Sequence, residues 1–144
     1  MIFSRQWGSF ELSTAKERID FETVFNFLYQ EAYWSKGAIT PERLKMAINN
    51  SLNFGIYLED QQCGYCRVVS DGATMAYLAD VFILSDYRGQ GLSKWMLGAV
   101  LEHPELQNLR RWILLTDDAH ELYRQFGWTE LSDPQLYMER MTAL

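Results

Sequence analysis

The segment from Ala73 to Leu84 constrains the fold of this chain most strongly, because it is almost continuously apolar. A run of this kind is expected in a central strand whose two faces are both buried. The strand is followed by a glycine-rich turn, Arg88 to Ser93, and a helical pattern begins within that turn. The buried stripe predicted for that helix consists of Leu92, Trp95, Met96, Ala99 and Val100. The sequence therefore predicts a buried strand, a tight glycine turn and a helix that packs back onto the sheet.

Patterns on both sides of this unit complete the fold prediction. A helix is predicted from about Ile19, and a second one begins at Pro41, where Thr40 is suited to act as the N-cap. Strands are predicted at 9–13, 53–59, 63–70, 73–84, 111–116 and 136–141, and a last helix at 117–126. The order β-α-α-β-β-β-α-β-α-β indicates an α/β (α+β) domain built on a mixed, mostly antiparallel sheet.

The length and the net charge of the chain limit the classes of protein to which it can belong. The chain has 144 residues, the size of one ordinary domain, so residues 1–144 are expected to form a single domain. Thirteen Lys and Arg against nineteen Asp and Glu give a net charge of −6, which argues against a protein that grips nucleic acid or an anionic membrane. No apolar run is long enough to span a bilayer, and the N-terminus lacks the apolar segment of a secretory signal. We therefore expect a soluble cytoplasmic protein without nucleic-acid or membrane partners.

Two cysteines, Cys63 and Cys66, form a CxxC within a segment that is predicted to be a strand. A redox CxxC works because its first thiolate lies at a helix N-terminus, where the helix dipole lowers the thiol pKa. Positions i and i+3 of a regular strand point to opposite faces, so this pair is badly placed for a disulfide or a shared metal. His103 and His120 do not complete a zinc-type spacing. We expect two structural thiols and no metal.

The turn Arg88-Gly89-Gln90-Gly91-Leu92-Ser93 is the most informative chemical feature of the sequence. Its glycines let the backbone approach an anion, and the following helix adds unpaired N–H donors and the positive end of its dipole. Such a turn binds phosphate or pyrophosphate without a basic surface, which is compatible with the net charge. It is neither a P-loop, because no Gly-Lys-Ser/Thr follows, nor a Rossmann fingerprint, because the third glycine is missing. A tight strand-to-helix connection without a ligand is the alternative interpretation.

Two segments together resemble the GNAT superfamily of N-acetyltransferases. The turn resembles that family's acyl-CoA-binding motif, Gln/Arg-x-x-Gly-x-Gly/Ala: Arg88 and Gly91 match, and Ser93 stands where Gly or Ala is usual. Further along, Leu122-Tyr123-Arg124-Gln125-Phe126-Gly127-Trp128 is similar to the family's Leu-Tyr-x-x-x-Gly-Phe/Trp signature. Ala119 also fits, whereas Thr116 stands where Asn is common. The resemblance covers essentially the whole chain, because the predicted element order is that of the GNAT fold.

The resemblance implies a twisted sheet with helices on both faces and a central strand that splays from its parallel neighbour. Acetyl-CoA would be the co-substrate, with its pantetheine arm in the gap along the backbone of Phe82, Ile83 and Leu84. Its pyrophosphate would rest on the turn formed by Arg88, Gly89, Gln90, Gly91, Leu92 and Ser93. The implied reaction transfers an acetyl group to a primary amine of a small molecule or of a peptide or protein.

Such a reaction needs a group that removes a proton from the amine and a donor beside the leaving sulfur. Tyr123 matches the family's tyrosine near the sulfur, so we expect its hydroxyl to act as the acid that protonates the leaving thiolate. The alternative is that Tyr123 only forms part of the wall of the site. Asp80 interrupts the apolar strand, and a carboxylate there is costly unless it is paired. We expect Asp80 to be a base or an ammonium-binding anion, or else part of a structural salt bridge. Glu31 and His120 are weaker candidates for the base.

The acceptor is expected near the first two helices, where Glu31, Tyr33 and Trp34 could hold a cationic amine through charge and cation–π contacts. The same aromatic residues could instead pack the helices against the sheet. A non-catalytic CoA-binding or sensing module is the alternative function, because Ser93 and Thr116 depart from the family pattern. A redox or metal protein that uses the CxxC is disfavoured. The oligomeric state stays open, with a homodimer as one option.

Overall fold

The strand patterns of the sequence form one six-stranded sheet, which a computed structural model describes together with the rest of residues 1–142. The strands are β1 (Ser4–Trp7), β2 (Phe10–Ser13), β3 (Leu52–Leu58), β4 (Gln61–Ser70), β5 (Met75–Ile83) and β6 (Arg111–Ile113). Strands adjacent in sequence are adjacent in the sheet, antiparallel from β1 to β5 and parallel between β5 and β6. The predicted mixed, mostly antiparallel sheet is confirmed.

The helices are α1 (Phe21–Gln30), α2 (Pro41–Asn49), α3 (Leu92–Glu102) and α4 (His120–Arg124), with short 3-10 turns at 16–18, 85–87, 104–106 and 134–136. Capping determines where α2 begins, because the Thr40 hydroxyl accepts from the Arg43 N–H at 3.2 Å and Pro41 occupies the first turn. α4 is shorter than predicted. The Thr116 hydroxyl accepts from the Ala119 N–H at 3.1 Å, and this local turn replaces the first turn of the expected helix.

Helices cover both faces of the sheet, as expected. α1 and α2 lie on one face, where Leu28 and Leu44 are buried in the same cluster as Phe82 of β5. α3 and α4 lie on the other face, where Met96 joins a cluster that includes Ile83, also of β5. The consecutive residues Phe82 and Ile83 therefore belong to different clusters, so β5 is buried on both faces.

The N-terminus forms a hairpin instead of the single strand predicted at 9–13. β1 pairs with β2 from Ser4↔Ser13 to Trp7↔Phe10, and Gly8 has the positive φ of 60° that the turn requires. All residues of β1 are exposed. Because a fully exposed edge strand has no apolar alternation, periodicity in the sequence does not reveal it.

The prediction of a last strand at 136–141 is wrong. Pro134–Leu136 forms a 3-10 turn, and residues 137–142 have no regular secondary structure. β6 spans only Arg111–Ile113, so it offers a short edge for a further strand. Leu136 and Met138 are 73% and 97% exposed. An alternating pattern is not sufficient for a strand, because the strand also needs a partner for its backbone hydrogen bonds.

The expectation that Cys63 and Cys66 point to opposite faces of the sheet is also wrong. Both are fully buried in the same core cluster, because a bulge shifts the register of β4 against β3: Ile56 pairs with Gly64, whereas Tyr57 pairs with Gln62. Both thiols are free. Burial raises the pKa of Cys63 to about 11 and also raises the pKa of Cys66. Thiols in this environment stay protonated and are poor nucleophiles.

Candidate active site

β5 and β6 pair only over a short stretch and then separate. Their parallel ladder runs from Met75↔Arg111 to Tyr77↔Ile113, whereas β5 continues to Ile83. After Tyr77, no strand within residues 1–142 pairs with the edge of β5 that faces β6. A free strand edge beside a gap can hydrogen-bond an extended ligand. This separation is the splay that the resemblance implied.

At the end of β5, the backbone N–H groups point alternately toward β4 and toward the gap. The Leu84 N–H donates to the Cys63 carbonyl at 2.9 Å, so this donor points toward β4. Successive residues of a strand direct their N–H groups to opposite edges, so Ile83 faces the gap. The Ile83 carbonyl already accepts from Arg88 Nε at 2.8 Å. Of the two backbone groups of Ile83, the N–H is therefore the one that can bind a ligand in the gap. Of the three predicted pantetheine contacts, Phe82, Ile83 and Leu84, the central one is the best oriented.

Asp80 lies in a β-bulge. Where β4 has one residue between two successive pairs, β5 has two, Asp80 and Val81. Asp80 has a φ of 54°, a left-handed conformation that Asp tolerates better than most other non-glycine residues. The carboxylate accepts from Arg67 Nε at 2.6 Å through Oδ2 and from Trp34 Nε1 at 2.9 Å through Oδ1. The bulge therefore directs Asp80 to polar partners and away from the core.

The ion pair between Arg67 and Asp80 is partly buried, with side-chain exposures of 19% and 10%. Asp80 therefore forms a salt bridge, which was the alternative to a catalytic role. A carboxylate has about four lone-pair sites, and the two hydrogen bonds from Arg67 and Trp34 use only part of them. The remaining sites can still accept from an ammonium group or take a proton.

Tyr123 projects from α4 and is 8% exposed. Burial raises the pKa of its hydroxyl, and the nearby Cys66, Tyr33 and Asp118 raise it further. The hydroxyl forms no hydrogen bond with any residue that the structure describes. A buried phenol without an internal partner is available to donate to a ligand.

One cavity of about 360 Å³ brings these groups together. Its walls are the bulge of β5, the segment after β6, the loop after α1, and α4. Side chains with polar atoms in these walls are Tyr33, Trp34, Ser35, Arg67, Tyr77, Asp80, Thr116, Asp118 and Tyr123. The volume is in the range of small-molecule sites. Four predicted site residues, Tyr33, Trp34, Asp80 and Tyr123, therefore share one cavity.

The glycine turn has the backbone conformation that only its glycines adopt easily. Gly89 and Gly91 have φ of 83° and 88°, and Gly91 is the N-cap of α3 without a side-chain hydrogen bond to the helix. The first N–H groups of α3 are therefore left without a capping side chain. A cavity of about 240 Å³ beside them is lined by Ile83, Tyr87, Arg88, Gly89, Gly91, Leu92, Ser93, Lys94 and Leu122. Free backbone donors, a helix N-terminus and two cationic side chains fit a diphosphate.

The other residues of the turn hold its shape. Gln90 Nε2 donates to the Tyr87 carbonyl at 2.9 Å, and Leu92 is 2% exposed in the core below α3. Arg88 is anchored through its Nε on Ile83. The remaining guanidinium N–H groups of Arg88 stay available to an anion.

Trp7 lies against the same turn, although no pattern in the sequence indicates this position. A Cβ placed on Gly91 would be 3.2 Å from Trp7 Cη2, and the Trp7 ring centroid lies 5.6 Å from that of Trp95 on α3. The N-terminal hairpin thus supports the first turn of α3. Periodicity could not have identified Trp7, because it belongs to the exposed strand β1.

Glu31 and His120 lie apart from the cavity that holds Asp80. Glu31 is exposed at the C-cap of α1. His120 begins α4 and lines a larger cavity of about 680 Å³ between β6 and the C-terminal segment, and Tyr123 borders that cavity as well. The smaller cavity contains the ion pair and the splayed strand edge, so we take it as the candidate active site.

Two features are absent from residues 1–142. No group of three or more His, Cys, Asp and Glu side chains in this part of the chain is placed to hold a metal ion. None of the described helices combines the length and the apolar character that crossing a bilayer requires.

Comparison with known families agrees with this geometry. Residues 49–130 match the family model of the acetyltransferase (GNAT) domain, a range that includes β3 to β6, the glycine turn and α4. The chain belongs to the GNAT acetyltransferase family. Members of this family transfer an acyl group to an acceptor and generally use acetyl-CoA.

Known GNAT proteins resemble the chain over most of its length. A candidate acetyltransferase of the GNAT family from Xanthomonas campestris pv. campestris is 41% identical, with a TM-score of 0.91 and 95% of this chain and 96% of that chain covered. A candidate acetyltransferase from Gibberella zeae is 29% identical over 135 residues, covering 81% of this chain and 76% of that protein. The glucosamine-6-phosphate N-acetyltransferase of Arabidopsis thaliana has a TM-score of 0.60 at 14% identity, with 100% of this chain and 98% of that chain covered. This last likeness concerns the fold alone.

Proposed function

We propose that this GNAT protein is a cytoplasmic, single-domain N-acetyltransferase that moves the acetyl group of acetyl-CoA to a primary amine. The observation that carries the proposal is a cavity in which three groups meet: the edge of β5 beyond Tyr77, the Asp80 carboxylate, and the Tyr123 hydroxyl, which has no hydrogen-bond partner among residues 1–142. A thioester, an acceptor amine, a base and a hydrogen-bond donor can all be accommodated there. The acceptor amine belongs either to a small molecule or to a peptide or protein.

The donor is bound by two features of the fold. The Ile83 N–H faces the gap between β5 and β6, where an amide-containing arm can bind as an additional strand. The turn from Arg88 to Ser93 and the first N–H groups of α3 support the diphosphate. Both features adjoin Ile83, so one extended ligand reaches from the turn toward Tyr123.

In the proposed reaction, Asp80 accepts the proton that the acceptor ammonium must lose before its nitrogen lone pair can attack. The nitrogen forms a bond to the thioester carbonyl carbon and, now positively charged, loses its second proton to water. The bond between that carbon and sulfur then breaks. The amide remains on the acceptor, and the sulfur leaves with the bonding electron pair as a thiolate. The thiolate takes its proton from solvent.

Tyr123 assists by donating a hydrogen bond to the sulfur while negative charge develops there. Burial raises the pKa of Tyr123, so the phenol keeps its proton throughout the neutral pH range. Full transfer of that proton to the sulfur would be uphill, since an ordinary thiol has a pKa of about 8.5. The role proposed for Tyr123 is therefore hydrogen-bond donation, which supports departure of the thiolate without ionising the phenol.

The test combines an acceptor screen with one variant. Purified protein is mixed with acetyl-CoA and a panel of amines, and released thiol and acetylated amine are measured together. We expect acetylation by the wild type and a decrease of roughly 10²-fold in the single-turnover rate of Tyr123→Phe. Acetyl-CoA affinity should change little, because the ring and its packing remain.

Two results would contradict this proposal. Binding of acetyl-CoA without transfer to any amine would favour the CoA-sensing alternative. A wild-type single-turnover rate in Tyr123→Phe would show that Tyr123 is only part of the cavity wall.

A further inference from the structure

The loop between α1 and α2, residues 31–40, crosses the gap between β5 and the segment after β6. This crossing loop is hydrogen-bonded on both sides of the gap. Trp34 Nε1 donates to Asp80 Oδ1 at 2.9 Å on the side of β5. The hydroxyl of its neighbour Tyr33 accepts from the Asp117 N–H at 2.6 Å on the side of α4. Two consecutive residues thus connect the two sides of the candidate active site.

This crossing loop is also fixed to the helix that precedes it. The Gly37 N–H donates to the Tyr29 carbonyl at 2.8 Å, and the Ser35 hydroxyl donates to the Leu28 carbonyl at 2.7 Å. The rings of Tyr33 and Trp34 meet edge to face with centroids 5.1 Å apart. The loop therefore has hydrogen bonds to α1, to β5 and to the segment before α4.

The crossing loop limits the shape of an acceptor. The cavity beneath it measures about 360 Å³, which lies at the lower end of the range for small-molecule sites. Peptides are usually bound along an open groove or a free strand edge, because main chain must continue on both sides of the reactive residue. The hydrogen bond from Asp117 to Tyr33 lies across such a path. A small free amine does not need that path.

The cavity lining also indicates the charge and polarity of the acceptor. The rings of Tyr33, Trp34 and Tyr77 supply apolar and π surfaces. Asp118 adds a carboxylate that has no ion pair within the described part of the chain, whereas Asp80 already has Arg67. An aromatic wall with an uncompensated carboxylate suits a protonated amine on an apolar body.

We infer that the acceptor is a small, free, protonated amine with an apolar body, and that lysine or N-terminal amines within polypeptides are excluded by the Tyr33–Asp117 connection. This inference rests on the proposed function and selects one of its two acceptor classes.

The experiment compares acceptors that carry the same nucleophile. Butylamine reproduces the end of a lysine side chain, and short peptides with blocked termini and one central lysine carry the same amine on a polypeptide. A further peptide offers a free N-terminus. With acetyl-CoA as donor, we expect kcat/KM for butylamine to exceed that for either peptide by at least roughly tenfold.

Two variants test the physical reason for that difference. Tyr33→Phe keeps the ring but removes the oxygen that accepts from the Asp117 N–H, and it should raise kcat/KM for the peptides relative to butylamine. Tyr29→Phe is the matched control, because Tyr29 is 43% exposed on α1 and lies outside the cavity lining. The control should leave the ratio unchanged.

The possible failures are distinguishable. Peptides acetylated as efficiently as butylamine by the wild type would overturn the inference while leaving the proposed function intact. An unchanged ratio in Tyr33→Phe would also overturn it, because the connection would then not select the acceptor. Transfer to neither class, with acetyl-CoA bound, would overturn the proposed function itself.

Discussion

Arg67 Nε and Asp80 Oδ2 lie 2.6 Å apart across the bulge between β4 and β5, and this ion pair links the core sheet to the candidate active site. Asp80 has a left-handed backbone, so a substitution there must respect conformation as well as charge. Asn is a suitable replacement because it tolerates the left-handed backbone region and has the same size as Asp.

Asp80→Asn should therefore keep the backbone and the contact with Trp34 but leave Arg67 without a counter-charge. We expect the free energy of unfolding to fall by about 1–3 kcal/mol, because the pair is partly buried. The single-turnover acetylation rate should fall by roughly 10²-fold or more. Chemical denaturation and rapid-quench kinetics measure the two effects.

The matched control for Asp80→Asn is Glu11→Gln, which removes the partner of Arg18 from a more exposed pair with side-chain exposures of 32% and 34%. Its stability loss should stay below about 1 kcal/mol. A wild-type acetylation rate in Asp80→Asn would mean that the carboxylate serves the structure alone.

A second prediction separates two glycines of the turn. Gly89→Ala and Gly91→Ala each place a side chain at positive φ, so both should destabilise the fold by about 1 kcal/mol in thermal unfolding. A Cβ on Gly91 would lie 3.2 Å from Trp7, whereas no atom of residues 1–142 lies within 4 Å of a Cβ on Gly89. Gly91→Ala should therefore shift the NMR signal of the Trp7 indole N–H, and Gly89→Ala should not. Equal shifts in both variants would argue against the contact between the hairpin and the turn.

A third prediction concerns pH. His103 is fully buried, its Nδ1 accepts from the Glu105 N–H at 3.1 Å, and burial lowers its pKa below the ordinary 6.5. The unfolded chain therefore takes up a proton near pH 6.5 while the folded protein does not. Neutral His103 therefore makes its full contribution to the free energy of unfolding above about pH 6.5. This contribution is lost as the pH falls from there through the lower pKa of His103 in the folded protein.

The variant that tests this dependence is His103→Asn, which keeps an acceptor near the position of Nδ1 but does not titrate. Urea unfolding at about pH 7.5 and about pH 5.5 should show a smaller pH difference in stability for this variant than for the wild type. His120→Asn changes the exposed histidine and should retain the wild-type difference. Equal differences in all three proteins would show that His103 protonation does not contribute.

The sequence predicted most of the elements that form the site, and local signals explain why. The apolar run of β5, the cap formed by Thr40 and Pro41, and the glycines of the turn each depend on neighbours close in sequence. Asp80 could be selected because a carboxylate is conspicuous in an apolar strand.

The features that the sequence did not predict depend on contacts between distant segments. The bulges at Cys63 and Asp80 are set by the register against neighbouring strands, so the shared face of the two cysteines could not be derived from alternation. The same holds for Arg67, which becomes part of the site only by facing Asp80. Trp7 and the missing last strand likewise depend on which sheet edges are present.

A fourth prediction concerns the thiols. Cys63 and Cys66 are fully buried, and burial raises both thiol pKa values. A thiol reagent should therefore label neither cysteine in the native protein and both after unfolding in denaturant. Changing both to Ala should leave acetyl transfer within a few-fold of wild type. Fast labelling of the native protein, or loss of transfer in the double variant, would contradict a purely structural role.

We propose that acetyl-CoA binds in the gap between β5 and β6 with its diphosphate on the turn from Arg88 to Ser93. Amide hydrogen exchange of the protein with and without acetyl-CoA tests it most directly, because it reports binding and location together. We expect slower exchange at Ile83 and across Gly89 to Ser93 when acetyl-CoA is present. Unchanged exchange there, or protection only around the cavity between β6 and the C-terminal segment, would contradict it.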